Sequence, residues 1–370
     1  MKVLHVISDE NIGGAGVLLC NLLRHFDRER IESAVARPRG SALIPRLRAL
    51  DVPLYPLRHP CDRYSHASAQ ELCTVIRSFG ADAVHANAAL CARVAARRCH
   101  VPVLHTRHCC YPPQGLLRIP VVRTLAGLAN RSLSDRVIAT ADAAAENLRA
   151  LGVPTKRIRV VINGSEEVRV VSKEELIGFR RRFDLEESDF TVGICARLEP
   201  CKGHHTFFEA ARLLLDWFPQ RRFRFLVVGS GSREQELREL SARLGLGESV
   251  RFMGFLEDMA PLYRILRINV NCSTGTETSC LALSEGMSAG VPFVASDYGG
   301  NPAMLGESQA GFLFPTEDAN ALADGIYRIA VDAELERCMR EAARARYEQC
   351  YTAERMAERV SEIYRELLMK

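Results

Sequence analysis

The sequence predicts an α/β protein made of two doubly wound, Rossmann-like parallel-sheet domains that face each other across a cleft. Three observations carry that expectation. Short β-branched strands alternate with helical stretches from end to end, the beat of parallel sheets. The series breaks once, around 164–188, where charged residues replace it, and then restarts. A chain of 370 residues, 47% hydrophobic and 25% charged, is too long for one ordinary core and suits two globular domains.

In the first half, strands are expected at Lys2–Ser8, Glu32–Arg37, Pro53–Pro56, Ala83–Ala86, Val101–His105, Arg136–Thr140 and Ile158–Ile162. Helices such as Gly16–Phe26 and Ala69–Phe79 fall between them. After the break, strands follow at Thr191–Ala196, Arg224–Val228, Val250–Met253, Ile268–Cys272, Pro292–Ser296 and Gly311–Phe314. Gly203–Phe218, Arg233–Leu244, Cys280–Ala289 and Ala319–Ile329 are the helices between those. Two charged amphipathic helices close the chain, Glu334–Tyr347 and Ala353–Met369, and their pattern assigns neither of them to a domain. Doubly wound sheets bind ligands beyond the carboxyl ends of their strands, so the cleft between the halves is the expected site.

The 13 cysteines are odd in number and form no CxxC pair, which suggests reduced thiols. Met1–Val6 leads straight into a strand, so no signal peptide is expected. No apolar run approaches the roughly 20 residues that span a bilayer. A cytoplasmic protein is the expectation. Net charge is +4, unevenly spread: residues 1–165 carry 23 Lys+Arg against 12 Asp+Glu, or +11, and the remainder carry 26 against 33, or −7. A basic first half points to an anionic partner. Nucleic acid is disfavoured, because no helix-turn-helix, RNP-type aromatic motif or Lys-rich tail is present. A peripheral contact with an anionic membrane, or a phosphorylated acceptor, fits better. The plain alternative is that these arginines merely solvate helix faces.

Several segments carry chemistry. TGTETSCLALSEGMSA, residues 274–289, sets Glu277 and Glu285 on either side of a predicted helix start near Ser279 or Cys280. Such a start presents unpaired N–H groups and the positive end of the helix dipole, a ready anion site. Glu285 lies about five residues, roughly 7–8 Å, along the axis, so two carboxylates bracket the place where a pyrophosphate would rest. RLEPCKG puts Arg197 and Lys202 on a loop past a strand, a cation pair able to hold a leaving diphosphate without a metal. No Asp-x-Asp metal motif is present. SDENIGGAG brings Gly13 and Gly14 before a helix, VVGSGS brings Gly229 and Gly231, and Arg251–Gly254, with Met253, ends a further strand whose backbone edge suits a base. SDYGGNPAM repeats the strand-then-glycine plan at Gly299 and Gly300. HTRHCCYPP places His108 at a strand end, whereas His105 reads as structural. His85 and Asn87 end another strand. A zinc site from His105, His108, Cys109 and Cys110 would crowd one loop and lacks the usual spacing.

Together these motifs resemble the large retaining glycosyltransferase family of GT-B fold that includes sucrose synthases and bacterial mannosyltransferases of lipid glycans (family 4). The likeness spans nearly the whole chain: Gly13-Gly14, His108, Asn163-Gly164, Arg197, Lys202-Gly203, Gly229-Ser-Gly231, the Glu277-x7-Glu285 pair and Gly299-Gly300-Asn-Pro302. The resemblance implies that a first domain of residues 1–165 plus about 350–370 serves the acceptor. Residues 166–349 would bind the nucleotide-sugar donor. It implies that Glu285 takes the ribose hydroxyls and Glu277 the donor sugar. Arg197 and Lys202 would stabilise the departing diphosphate in place of a metal, helped by the backbone at Cys280, Leu281 and Gly14, while His108 would touch the transferred sugar. No cofactor is implied; the partners are a nucleotide-sugar donor and a glycan or lipid-linked acceptor of the cell envelope. Many members have glycine or proline three residues after the first glutamate, where this chain has Cys280. A nucleotide-sugar epimerase of the same architecture and a non-catalytic nucleotide-sugar-binding protein are the alternative readings.

After His108 comes GLLRIPVVRTLAGLANRS, apolar at Leu116, Leu117, Val121, Val122, Leu125 and Leu128, with Arg118, Arg123 and Arg131 interleaved. It reads either as an interfacial segment touching acidic headgroups at the inner membrane face or as a cleft-rim helix packed on its own domain.

Overall fold

The computed structural model describes residues 1–10, 12–61, 64–87, 89–108, 115 and 119–369. The chain divides into two compact units, Met1–Ser165 with Ala353–Lys370, and Glu166–Thr352.

Among the described residues the first unit holds seven strands, β1 (Lys2–Ile7), β2 (Glu32–Pro38), β3 (Leu54–Leu57), β4 (Ala83–Asn87), β5 (Val103–Arg107), β6 (Arg136–Ala139) and β7 (Ile158–Val160). They form one sheet in the order β3-β2-β1-β4-β5-β6-β7, and every pairing is parallel. A parallel sheet is covered by helices on both faces, so its strands read as unbroken apolar runs instead of alternating ones. In β1, all residues from Val3 to Ile7 are buried. The Gly14–His25 helix packs against the chain-terminal helix Ala353–Leu368. There Tyr364 is fully buried among the rings of His5, Phe26 and His85. Its hydroxyl lies 2.6 Å from Nδ1 of His85, whose Nε2 lies 2.6 Å from Oγ1 of Thr106. A buried phenol needs such a partner, and this one ties the last helix to the middle of the sheet.

The second unit holds β8 (Phe190–Cys195), β9 (Phe223–Val228), β10 (Val250–Gly254), β11 (Ile268–Asn271), β12 (Phe293–Ser296) and β13 (Gly311–Phe314). Their order is β10-β9-β8-β11-β12-β13, again all parallel. Its core is rich in aromatic rings: Phe207, Phe223 and Phe225 are fully buried and pack edge-on or stacked. Both sheets are Rossmann-like. Their order reverses between β1 and β4 and between β8 and β11, and these switch points are where such sheets open a crevice for a ligand.

One expectation fails. The stretch around 164–188 is not merely a charged break, because it contains a helix, Lys173–Arg182. A capping box opens it: Oγ of Ser172 accepts from the Glu175 N–H, and the Glu175 carboxylate accepts from the Ser172 N–H. Its few apolar side chains, including Leu176 and Phe179, pack on the second unit's core, and the charges between them hide the period.

Among the described residues no helix is long and apolar enough to cross a membrane, and every cysteine is a free thiol.

Candidate active site

The switch point of the second sheet brings two loops together, one after β8 and one after β11. The first reaches Lys202 through a short 3-10 turn, Pro200–Lys202. The second runs from Cys272 to Cys280. They are clamped backbone to backbone, the Thr274 N–H donating to the Cys201 carbonyl at 2.9 Å. Across this clamp Nζ of Lys202 lies 2.7 Å from Oε2 of Glu277, and the side chains are only 17% and 8% exposed. Oε2 also accepts from Oγ of Ser273 at 2.8 Å and from Nδ2 of Asn271 at 3.3 Å. Asn271 is fixed in turn: its Oδ1 accepts from the Ser273 N–H and from Nδ2 of Asn301, which also reaches Ser296.

Electrostatics follow from that geometry. Burial pushes the Glu277 carboxyl up, but the Lys202 ammonium and the donated hydrogen bonds outweigh it, and the group titrates below its ordinary 4.5. Burial likewise pulls Lys202 down, and the Glu277 carboxylate more than reverses this, holding the ammonium above its ordinary value. The site therefore holds a charged pair at neutral pH.

The loop carrying Glu277 is strained. Thr276, a β-branched residue, sits in the left-handed region at φ 60°, which costs about 1–3 kcal/mol and is found where surrounding structure enforces it. Here the Cys201 clamp and Gly299 enforce it. Gly299 has φ 60°, and a Cβ there would stand 2.2 Å from the Glu277 carbonyl oxygen.

Leu281–Ser288 forms the helix after this loop, with Cys280 as its N-cap. Cys280 has φ −75° and ψ 108°, a conformation open to any residue, so glycine is not needed there. Its thiol is pushed up to about 12 by burial and then by the Glu277 charge, which keeps it protonated. The first N–H groups of the helix have no intrahelical partner. One turn in, Oε2 of Glu285 accepts from the hydroxyl of the fully buried Tyr263 at 2.9 Å. Burial and that carboxylate hold the phenol well above its usual range.

The remaining predicted residues of this unit are placed differently. Arg197 stands exposed on the loop after β8, and its side chain makes no hydrogen bond or ion pair among the described residues. Gly229 is required by packing: at φ 133° a Cβ would stand 2.1 Å from the Ala196 carbonyl. Gly231 meets the Leu198 carbonyl in the same way. These two glycines thus seat the segment that carries Arg197. Met253 is buried in the core beside Leu226 and Val228, which leaves only its backbone toward the strand end.

In the first unit, Gly13 caps the Gly14–His25 helix in an extended conformation, and a Cβ would meet only Asp9 at 3.7 Å. Gly14 is exposed. Nε2 of His108 lies 3.1 Å from Oδ1 of Asn87, and burial pulls the imidazole down to about 4, so it is neutral at physiological pH. His108 and Asn87 line a small cavity at the strand ends with His85, Thr106 and Thr140, and apolar side chains of the two helices packed together there, Leu18, Leu22, Met356 and Val360, complete its wall. His105 is buried in β5, as read. Cys109 and Cys110 lie outside the described residues, and among the described residues no group of three or more His, Cys, Asp or Glu is placed to hold a metal.

The sequence did not single out Asn271, Ser273 or Tyr263, and Asn301 entered only as the Asn of the Gly299-Gly300-Asn-Pro302 motif. Asn271 ends β11 and Ser273 follows it, in Asn-Cys-Ser at the carboxyl end of Ile268–Asn271, the place where such sheets put ligand-binding residues. Tyr263 reaches Glu285 only through the fold.

Comparison with known proteins completes the picture. The model for glycosyl transferases group 1 matches residues 178–346, and that for glycosyltransferase family 4 matches residues 12–167. EpsD of Bacillus subtilis (strain 168), assigned provisionally as a glycosyltransferase, is 28% identical over 81% of this chain and 82% of its own length. A D-inositol 3-phosphate glycosyltransferase of Streptomyces avermitilis is 28% identical over 76% of this chain, which spans 65% of that relative. The crystal structure of Anabaena Alr3699/HepE in complex with UDP-glucose superposes with a TM-score of 0.85 at 22% identity, covering 99% of this chain and 100% of the other. The fold is thus GT-B.

Proposed function

The chain belongs to the group 1 glycosyltransferases of family 4, and from that premise we propose a retaining transfer of sugar from a nucleoside diphosphate to a cell-envelope glycan or glycolipid. The observation that carries this is the Lys202–Glu277 pair at the β8/β11 switch point, beside the start of the Leu281–Ser288 helix.

In this reading the donor's diphosphate rests against the helix start, where orphan N–H groups and the dipole favour an anion. Glu285, oriented by the Tyr263 hydroxyl, takes the ribose hydroxyls. Lys202 is preorganised by Glu277 as a fixed cation, and with the exposed Arg197 it does the work a divalent metal does in other transferases. Glu277 then accepts a hydroxyl of the donor sugar. Gly13 supports close approach of backbone to the donor, because neither its dihedrals nor its neighbours demand glycine. His108, neutral above about pH 4, suits hydrogen bonding to a sugar hydroxyl and not the binding of phosphate charge. In the transfer the bond from the anomeric carbon to the diphosphate oxygen breaks, and a bond to the acceptor oxygen forms on the same face. The acceptor's proton passes to the leaving phosphate oxygen, so no enzymic nucleophile is required.

The neighbour's complex with UDP-glucose makes UDP-sugars the first donors to test. We expect release of nucleoside diphosphate from a UDP-sugar to depend on an added glycan or lipid-linked acceptor, to persist in EDTA, and to give a product of unchanged anomeric configuration by NMR. Conversion of the sugar without any acceptor would replace this reading with an epimerase.

A further inference from the structure

The helix Pro120–Leu133 is held by one side and bare on the other. On the inner side, a Cβ on Gly127 would stand 2.9 Å from Cα of Gly152, so the helix backbone sits directly on the chain there. Arg93, buried beneath it, donates to Oδ1 of Asn130 at 2.9 Å and to Oγ of Ser134 at 3.0 Å. These contacts fix the rotation of the helix. The face left outward carries Val121, Leu125 and Leu128, at spacings of four and three, and Ile119 precedes them. They are 69%, 60%, 53% and 46% exposed. A soluble helix ordinarily turns such a stripe inward, and a contiguous exposed apolar strip marks a contact surface.

Charge names the occupant. From Ala83 to Ser134 the chain has seven arginines and no aspartate or glutamate. At the C-terminal end of the helix, exposed Arg131 stands beside Arg157, whose guanidinium donates to the Arg131 and Ser134 carbonyls. Arg97 and Arg136 lie close by, each with a carboxylate partner, Asp135 at 2.9 Å from Arg97 and Glu366 at 3.7 Å from Arg136, which leaves Arg131 and Arg157 as the guanidinium groups in excess. An apolar strip that ends in a surplus of guanidinium groups over carboxylates matches the boundary between acyl chains and anionic headgroups. A protein partner or a second copy would need a carboxylate-rich apolar face. The remainder of this chain is acidic overall, but its exposed large apolar side chains, such as Val170, Trp217, Phe255 and Val331, are scattered through the sequence and not gathered on one helix.

We infer that the Pro120–Leu133 helix is a membrane-docking element that lies flat on an anionic lipid surface, with Val121, Leu125 and Leu128 entering the acyl boundary and neighbouring arginines on the headgroups. This adds a partner to the transferase reading and is measured without turnover, so its failure leaves donor binding untouched.

The test is co-sedimentation of the full chain with phosphatidylcholine vesicles, with and without phosphatidylglycerol, alongside a variant carrying Val121→Ser, Leu125→Ser and Leu128→Ser. Arg131→Glu is a second, independent variant. All four side chains are exposed, so both variants should keep the wild-type melting temperature. We expect binding to anionic vesicles only, suppressed by high salt, weakened at least tenfold by the triple variant and severalfold by Arg131→Glu. Absence of wild-type binding at low salt, equal binding to neutral vesicles, or undiminished binding by the triple variant would each overturn the proposal. So would a concentration-dependent dimer that the triple variant abolishes, because a second copy would then be what covers this face.

Discussion

At the scale of single residues, the proposed chemistry turns on Lys202 and Glu277, which keep each other charged. A buried carboxylate alone would be protonated and a buried ammonium alone deprotonated; at 2.7 Å both stay charged. Removing one partner of such a pair typically costs about 3–5 kcal/mol. The pH dependence follows from the directions of the two shifts. Glu277 titrates below its ordinary 4.5, so its contribution is present above that value and is lost as pH falls through its folded value. Lys202 titrates above its ordinary 10.5, so its contribution is present below that value and goes as pH rises through its folded value. We therefore expect Glu277→Gln to lower the melting temperature by a constant amount across neutral pH, and the gap to wild type to close on the acid side, below about pH 4. A gap that persists unchanged into strong acid would show that the Glu277 charge contributes nothing.

At the scale of elements, the strand positions were legible and most of the contacts between elements were not. Among the described residues all thirteen strands stand where the short β-branched segments put them, because strands of a parallel sheet covered on both faces are short and mostly apolar and alternate with helices. The Lys173–Arg182 helix was missed although Ser172 and Glu175 spell a capping box, since few of its apolar residues stand among the charges. The glycines after β9 were legible as special, and one reason for them exists only in the fold: a Cβ on Gly229 or Gly231 would run into the Ala196–Leu198 backbone. Of the site, Lys202, Glu277 and Glu285 could be read because each lies just after a strand or in the first turns of a helix. Tyr263 could not, because its bond to Glu285 exists only once two distant helices meet. The last helix is a similar case. Tyr364 reaches His85 across 279 residues, and no local pattern announces it. Tyr364→Phe should leave a buried imidazole nitrogen without its partner and cost the first unit about 1–3 kcal/mol, read as a lower urea midpoint. An unchanged midpoint would mean that packing alone seats this helix.

At the scale of the whole molecule, the two units differ in charge more than in architecture. The first 165 residues carry +11, and the terminal helix that joins their unit adds four basic and four acidic side chains from Ala353 to Lys370, leaving that figure unchanged. The second unit is left at −7 and yet concentrates cations, Lys202 and Arg197, at its sheet's switch point. Two cations set there, beside the start of the Leu281–Ser288 helix, are what the proposed metal-free diphosphate site would use. The most direct measurement is a calorimetric titration of UDP into the wild-type protein and Lys202→Ala, both in EDTA. We expect the wild type to bind without added metal and the variant to bind at least tenfold more weakly. Equal affinities, or wild-type binding that appears only when a divalent cation is restored, would contradict the account.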